Sequence, residues 1–214
     1  FGGYGFIEEY PMAMAYRDDR INRIWEGTNE INRSIITGYM MKKVLMEEIS
    51  LRNYIKNIDN FISTLTPKSS DDTFWSEKQA HESAKKLVSM IFNEALCEFG
   101  QDLKHEQQLS EALADMFTNI YVSESVICRA QQASREKSTS EMSFIIAKIC
   151  VSESLLTIRY LIPKCVNTIF KENVPKRIKE ILNPLDKAIN LDTDTIALKT
   201  QLAKFMFSQK KYPF

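Results

Sequence analysis

The chain is poor in glycine and proline, with six of each among its 214 residues. Four of the six glycines fall within the first 27 residues, so long stretches without either helix breaker follow. No segment shows the alternation of apolar and polar residues that is typical of a half-buried strand. The scarcity of breakers, together with apolar residues that recur at helical spacing, predicts an all-α fold. Because the predicted loops are short, we expect antiparallel helical bundles.

An excess of charge and a long apolar run are also missing. Lys plus Arg and Asp plus Glu number 28 each, so the net charge gives no reason to expect nucleic acid or an anionic membrane as a partner. No apolar run approaches the roughly 18 residues of a membrane span. The chain begins with Phe1 and shows no signal peptide, so we expect a fragment or a processed product.

Cysteine and histidine are scarce and scattered. The four cysteines are Cys97, Cys128, Cys150 and Cys165. They stand among apolar neighbours without a CxxC pair, and the two histidines have no ligand-like partner nearby in the sequence. We therefore predict reduced, buried cysteines in a reducing compartment, and no metal site.

The first third of the chain is predicted to contain short helices that end at a linker. Pro11 suits the first turn of one helix, and Thr28 or Asn29 can cap a second. An amphipathic segment over 51–65 leads to "TPKSSDDT", in which proline is followed by serine, aspartate and threonine. The predicted organisation is residues 1–65, a linker over 66–73, and a helical domain over 74–214.

Longer helices are predicted beyond the linker, with a loop over 134–141. Their expected ranges are 74–99, 109–133, 142–170, 177–182 and 195–208. The first of these helices should end at Gly100, and the third should be kinked or should end near Pro163. The Met, Phe and Ile stripes of the helices are interpreted as core rather than as a cofactor pocket.

The stretch "IWEGT" interrupts two helical patterns and places one carboxylate, Glu26, before a glycine. It is either a turn with a solvated carboxylate or a loop that holds a catalytic base. Upstream, "GGYG" contributes Gly2, Gly3 and Gly5, which suit a tight turn and can also let backbone N–H groups approach a phosphate. This segment is not GxGxxG and follows no strand, which excludes a Rossmann site.

Taken in order, these motifs resemble one family. "GGYGFIEEYP" followed by "YRDDRINRIWEGTNEINR" closely resembles the end of the catalytic core of acyl-CoA dehydrogenases, with its G-G-x-G-F, E-Y-P, R-D and E-G-T-x-[EQ]-I elements. This match covers roughly residues 1–45. The rest is similar to the additional helical C-terminal domain of the very-long-chain subgroup, in placement, length and the stretch "CRAQQASRE". Met14 departs from the family, in which many members have a basic residue.

The resemblance implies a role for each residue of the EGT motif. Glu26 matches the base that removes the α-proton of an acyl-CoA thioester in fatty-acid β-oxidation, while a hydride leaves the β-carbon for FAD. The backbone N–H of Glu26 would help to bind the oxyanion, and Gly27 would leave room for the substrate. Burial beside an apolar acyl chain would strengthen such a base. The residues implied to contact FAD are Gly2, Gly3, Thr28, Asn29 and Glu30.

The family further implies an electron-transfer flavoprotein as electron acceptor, a homodimer or higher homo-oligomer, and a cytoplasmic or mitochondrial-matrix location. An oxidase remains open, because oxygen access is determined elsewhere. A different interpretation is a helical interaction module for dimerisation or membrane-surface attachment, without catalysis. Lys176, Arg177 and Lys179 would then face phospholipid, unless they form a plain solvated face.

Overall fold

The computed structural model describes residues 1–65, 72, 74–135 and 141–209 of the chain. Over these ranges it contains nine α-helices and two 3-10 helices, and no strand, which confirms the all-α fold. The 3-10 helices are Gly2–Phe6 and Gly100–His105. The α-helices are α1 (Pro11–Ile21), α2 (Asn29–Leu45), α3 (Leu51–Lys56), α4 (Ile58–Ser63), α5 (Trp75–Phe99), α6 (Gln107–Arg135), α7 (Glu141–Phe170), α8 (Lys176–Ile189) and α9 (Thr195–Gln209).

Helices α5 to α8 form a bundle around one apolar core. Helix α7 packs against α5 and α6, and α8 packs against α5. The fully buried side chains at these contacts include Leu87, Leu113, Leu155, Ile158 and Leu185. Burial of each such side chain contributes about 1.5–3 kcal/mol, so this bundle is the stable body of the molecule.

Two further groups of helices are attached to the body. Leu51 of α3 and Ile58 of α4 belong to the same buried cluster as α5–α8. Helix α9 packs on α7 through a smaller cluster, in which Leu198, Leu202 and Phe205 lie against residues near the start of α7.

Among the described residues, no helix combines the length and apolarity needed to cross a bilayer. The predicted linker lies outside the described residues, except for Asp72, and the division of the chain at 66–73 stays a prediction.

Several predicted boundaries change in the structure. The segment 51–65, predicted only as amphipathic, forms two short helices, because Asn57 leaves helical geometry between them. Pro163 does not end α7. Proline has no N–H to donate to the carbonyl group four residues earlier, which belongs to Arg159. Pro163 is exposed, so water can reach this side of the helix. Helix α8 continues through Pro184, so the predicted range 177–182 was too short.

Both ends of the predicted loop over 134–141 are helical in the structure. Helix α6 continues to Arg135 and α7 begins at Glu141, while 136–140 lie outside the described residues. Gly100 does end α5, with a positive φ of 53° that suits glycine.

Cysteine burial was predicted correctly only in part. All four cysteines are free, but Cys97 and Cys128 are exposed, Cys150 is half-buried and only Cys165 is buried. The apolar neighbours in sequence lie on other faces of the same helices, which explains the error for Cys97 and Cys128.

The apolar stripe of α2 faces solvent rather than the core. Ile31, Ile35 and Tyr39 are 52%, 59% and 57% exposed. The face that packs on α6 instead begins with two polar residues, Arg33 and Thr37. The interpretation of this stripe as core is therefore wrong for the first half of α2 in the described chain.

Candidate active-site loop

The EGT motif lies in the turn that joins α1 to α2. Glu26 has a φ of 57° and Gly27 a φ of 94°. A left-handed conformation is rare for a residue with a side chain, and such strained positions concentrate at functional sites. A Cβ atom at Gly27 would also lie 3.0 Å from the side-chain oxygen of Asn32. Two consecutive positive φ values therefore turn the chain sharply at the carboxylate.

Hydrogen bonds to the first turn of α2 hold this loop. The Asn32 side-chain amide donates to the Gly27 carbonyl at 3.0 Å. The Asn29 backbone N–H donates to the Arg23 carbonyl at 3.3 Å. Thr28 is the N-cap, and its hydroxyl accepts from the Ile31 N–H at 3.3 Å, as expected for a threonine at this position. The loop is thus fixed relative to α2.

The Glu26 side chain and its backbone N–H are both available to a ligand. The residue is exposed, and its neighbour Trp25 is 57% exposed. Within the described part of the chain, the backbone N–H of Glu26 makes no hydrogen bond. The Trp25 indole donates to the Asn22 side chain at 3.0 Å, which orients the ring beside the loop.

At the start of α2, the N–H donors of Asn29 and Ile31 are already bonded. The backbone N–H of Glu30 and, to a smaller extent, the Thr28 hydroxyl lower the pKa of the Glu30 carboxyl group. Contacts with an anionic group at this end would therefore involve side chains, or N–H groups released by a change of the Glu30 rotamer.

Gly2 and Gly3 lie in the first 3-10 helix, apart from the EGT loop. This helix packs on the start of α1, and a Cβ at either glycine would meet no atom within 4 Å. Helix α1, whose 11 residues span about 16 Å at 1.5 Å per residue, lies between these glycines and Glu26 in the chain. The predicted FAD-contacting residues therefore form two groups: Gly2 and Gly3 near the start of α1, and Thr28, Asn29 and Glu30 after its end.

Two contacts between α2 and α6 were not found from the sequence. The Arg33 guanidinium donates to the Asp115 carboxylate at 2.7 Å, with Glu111 at 3.7 Å. The buried Thr37 hydroxyl donates to the Ser110 carbonyl at 2.7 Å. Their partners are 73 and 82 residues away in the chain, so no local pattern could have indicated them.

Exposed apolar surface is concentrated next to the loop. Among the described residues, 23 large hydrophobic side chains are exposed, and 17 of them lie in residues 1–46. Monomeric proteins rarely expose large contiguous apolar areas, which usually mark interaction sites. Residues 1–46 thus present a surface suited to packing against further protein.

Two family models match the chain, and both are described as the acyl-CoA dehydrogenase C-terminal domain. One matches residues 1–41 and the other residues 83–173. A Bacillus subtilis protein named "Probable acyl-CoA dehydrogenase" is 37% identical over 133 residues, which is 62% of this chain and 22% of that protein. The chain therefore spans about a fifth of the length of this curated relative.

A second relative and a solved structure are also similar to the chain. The caffeyl-CoA reductase-Etf complex subunit CarC of Acetobacterium woodii is 45% identical over 42 residues, which is 20% of this chain and 11% of that protein. A crystal structure of an acyl-CoA dehydrogenase complexed with FAD from Bacillus anthracis matches 100% of this chain and 36% of its own, with a TM-score of 0.86 and 27% identity. The likeness in fold thus extends over the whole chain.

Proposed function

We propose that the chain is the C-terminal part of a FAD-dependent acyl-CoA dehydrogenase, because residues 1–41 and 83–173 match models of the acyl-CoA dehydrogenase C-terminal domain. In this proposal Glu26 is the catalytic base. The observation that carries it is the left-handed turn at Glu26 and Gly27, which presents an exposed carboxylate at the start of α2. Glu47 and Lys171 also have a positive φ, so the family motif around the turn is what distinguishes Glu26 from a solvated carboxylate in a plain turn.

Glu26 takes the α-proton of a bound acyl-CoA thioester. The electrons of the broken C–H bond move toward the thioester carbonyl, whose oxygen then accepts a hydrogen bond from the backbone N–H of Glu26. Gly27 has no side chain to fill the space beside the carboxylate. FAD, when bound, supplies the acceptor for the hydride that leaves the β-carbon, so the product is the α,β-unsaturated thioester.

Gly2, Gly3, Thr28, Asn29 and Glu30 are the residues proposed to lie against FAD. The open space beside both glycines supports this for the first 3-10 helix. At α2 the Thr28 hydroxyl and the Asn29 side chain can contact the cofactor directly. The positive end of the helix dipole favours an anionic group there.

The rest of the enzyme is proposed to cover the apolar surface of residues 1–46. Closure over Glu26 would exclude water and surround the carboxylate with apolar groups, which strengthens it as a base. This proposal agrees with the share of the Bacillus anthracis chain, 36%, that the present chain matches. Covering the exposed side chains of 1–46 would also remove their unfavourable contact with water.

The same proposal extends to partners and subgroup. The CarC relative is a subunit of an Etf complex, which supports an electron-transfer flavoprotein as the acceptor of electrons from this enzyme. The second family match, over residues 83–173, supports a subgroup with an additional helical domain, such as the very-long-chain enzymes. A homo-oligomer and a cytoplasmic or mitochondrial-matrix location are part of the proposal.

Anaerobic flavin bleaching tests this function. The full-length protein, loaded with FAD, is mixed with acyl-CoAs from short to very long, and the absorbance of oxidised flavin is followed. We expect bleaching by the wild type, with a chain-length preference, and no bleaching by Glu26→Gln, although both retain FAD. Glu26→Gln that bleaches at the wild-type rate would exclude Glu26 as the base.

A further inference from the structure

The EGT loop is tied to α2, so the orientation of α2 determines where the Glu26 carboxylate lies. Asn32 holds the Gly27 carbonyl, and Asn29 holds the Arg23 carbonyl on the other side of the loop. Both donors belong to the first turn of α2. Any tilt or shift of this helix therefore moves the loop with it.

Helix α2 is in turn tied to α6 by polar contacts. Arg33 donates to Asp115 at 2.7 Å, and both side chains are about two-thirds buried, with 31% and 33% exposed. One turn further along, the buried Thr37 donates to the Ser110 carbonyl. The Ser110 hydroxyl donates to the Leu103 carbonyl at 3.0 Å, which fixes the turn before α6 as well. These bonds are directional, unlike apolar packing, and define both the register and the rotation of α2.

We propose that Arg33 and Asp115 are positioning residues that aim the base Glu26 by holding α2 on α6. This inference rests on the proposed function and adds a role for the helical domain beyond 74: it supplies the carboxylate that orients the catalytic loop. Neither residue contacts the reacting atoms.

The geometry makes the position of the base sensitive to this ion pair. Arg33 lies seven residues after Glu26 and Thr37 lies eleven after it. Asn29, at the start of α2, lies eight residues before Thr37, or about 12 Å, so a rotation of α2 by about 5° around Thr37 would move the attached loop by about 1 Å. A displacement of this size in a reacting group can lower a rate by about 100-fold.

The alternative is that the ion pair only stabilises the fold, and a matched control separates the two roles. Arg159 pairs with Asp186 between α7 and α8, with 30% and 42% of the side chains exposed. Asp186→Asn therefore removes the same charge from a similar ion pair that does not touch α2. Asp115→Asn and Arg33→Gln are the test variants, and Arg33→Lys keeps the charge but not the planar fork.

The test uses the full-length, FAD-loaded protein and two measurements. The first is the rate constant of flavin reduction at saturating acyl-CoA, expressed per bound flavin. The second is amide hydrogen exchange of the peptide that covers 25–32. We expect Asp115→Asn and Arg33→Gln to lower the rate constant by roughly 10- to 100-fold and to speed exchange in this peptide. Arg33→Lys should recover part of the rate, and Asp186→Asn should change neither measurement.

The inference is overturned if Asp115→Asn and Arg33→Gln reduce flavin as fast as Asp186→Asn and exchange in 25–32 is unchanged. A lower melting temperature alone would assign the pair to fold stability and would equally overturn it. Failure of the proposed function has a different signature: either the wild type is not reduced by any acyl-CoA, or Glu26→Gln is reduced at the wild-type rate, whatever the Arg33 and Asp115 variants do.

Discussion

Glu26 adopts a backbone conformation that costs a residue with a side chain about 1–3 kcal/mol. The hydrogen bonds from Asn32 and Asn29 on either side of the turn offset part of this cost.

Gly27 is the residue that permits this turn, so its replacement by alanine should be costly. Its φ of 94° disfavours any side chain, and the new Cβ would lie 3.0 Å from the Asn32 amide oxygen. We expect Gly27→Ala to lower the free energy of unfolding by about 1 kcal/mol or more. It should also disturb the Asn32 bond and slow flavin reduction. Urea unfolding of the variant measures the stability change.

Gly38, in the middle of α2, is the matched control. A Cβ there would meet no atom within 4 Å, and its φ is not positive. Gly38→Ala should therefore stabilise the protein by about 0.5–1 kcal/mol. If both substitutions changed stability in the same direction, the turn at Gly27 would not require glycine.

The sequence predicted the place of these residues better than their surroundings. The EGT motif and the Thr28 cap follow from local chemistry, since a cap is a contact between residues three apart. The exposure of Ile31 and Ile35 does not, because the same spacing describes a stripe that faces this core or one that faces another part of a larger protein.

Helices α5 and α6 meet at a buried histidine. His81 is 4% exposed, and its Nδ1 lies 2.8 Å from the Ser123 hydroxyl. That hydroxyl donates to the Ile120 carbonyl at 2.9 Å, so Nδ1 is the donor and Nε2 is the unprotonated nitrogen of the ring. Nε2 is buried and has no hydrogen-bond partner among the described residues, and a carboxylate oxygen of Glu124 lies 3.8 Å from it.

This contact predicts a loss of stability at acid pH. Burial lowers the pKa of His81 from its usual 6.5, Lys85 lowers it further, and Glu124 and Glu82 act less strongly in the opposite direction. As the pH falls through 6.5 the unfolded chain binds a proton that the folded chain binds only at lower pH. The free energy of unfolding should therefore decrease, by up to about 1.4 kcal/mol per pH unit.

Chemical denaturation between pH 7.5 and 5 measures this slope. We expect His81→Gln to flatten it in the region just below pH 6.5. His105→Gln, at an exposed histidine, should leave it as in the wild type. An unchanged slope in His81→Gln would mean that this histidine does not couple protonation to folding.

The basic residues near the start of helix α8 were considered for contact with phospholipid. Its apolar side, with Ile178, Ile181, Leu185 and Ile189, is buried. Of the basic residues considered for a membrane surface, Arg177 pairs with Asp59 of α4 and Lys176 lies 3.8 Å from Glu180. These ion pairs favour a solvated face over a lipid-binding one. The order of charges in the sequence did not distinguish these two alternatives.

The molecule as a whole has a core that extends beyond the bundle. Leu51 and Ile58 are 6% and 4% exposed and belong to the same cluster as Cys165 in α7. The sequence predicted separate parts on either side of 66–73, because a linker is a local feature. Shared burial is a tertiary one, and it couples the stability of the two parts.

The alkylation rate of the Cys165 thiol measures how strongly the stabilities of the two parts are coupled. Burial raises the pKa of its thiol to about 12, and the thiolate is the reactive form, so alkylation requires unfolding. Removing the Ile58 side chain should lower the free energy of unfolding by about 2 kcal/mol or more. The corresponding increase in the alkylation rate of Cys165 is about 30-fold. Pulsed alkylation followed by mass spectrometry measures it.

Ile196→Ala removes an equally large side chain that is 78% exposed, and it should leave Cys165 protected. If Ile58→Ala behaved in the same way, residues 51–63 would be energetically independent of the bundle. The 66–73 boundary would then separate two domains in folding as well as in sequence.

The central claim, that Glu26 removes an α-proton, is tested most directly without the redox step. In a 3-thiaacyl-CoA, sulfur replaces the β-carbon, so no hydride can leave, but the α-protons can still exchange. The full-length, FAD-loaded protein is incubated with this thioester in D2O, and deuterium at the α-carbon is followed by mass spectrometry. We expect fast exchange with the wild type and none above background with Glu26→Gln. Equal exchange with both proteins would contradict the account.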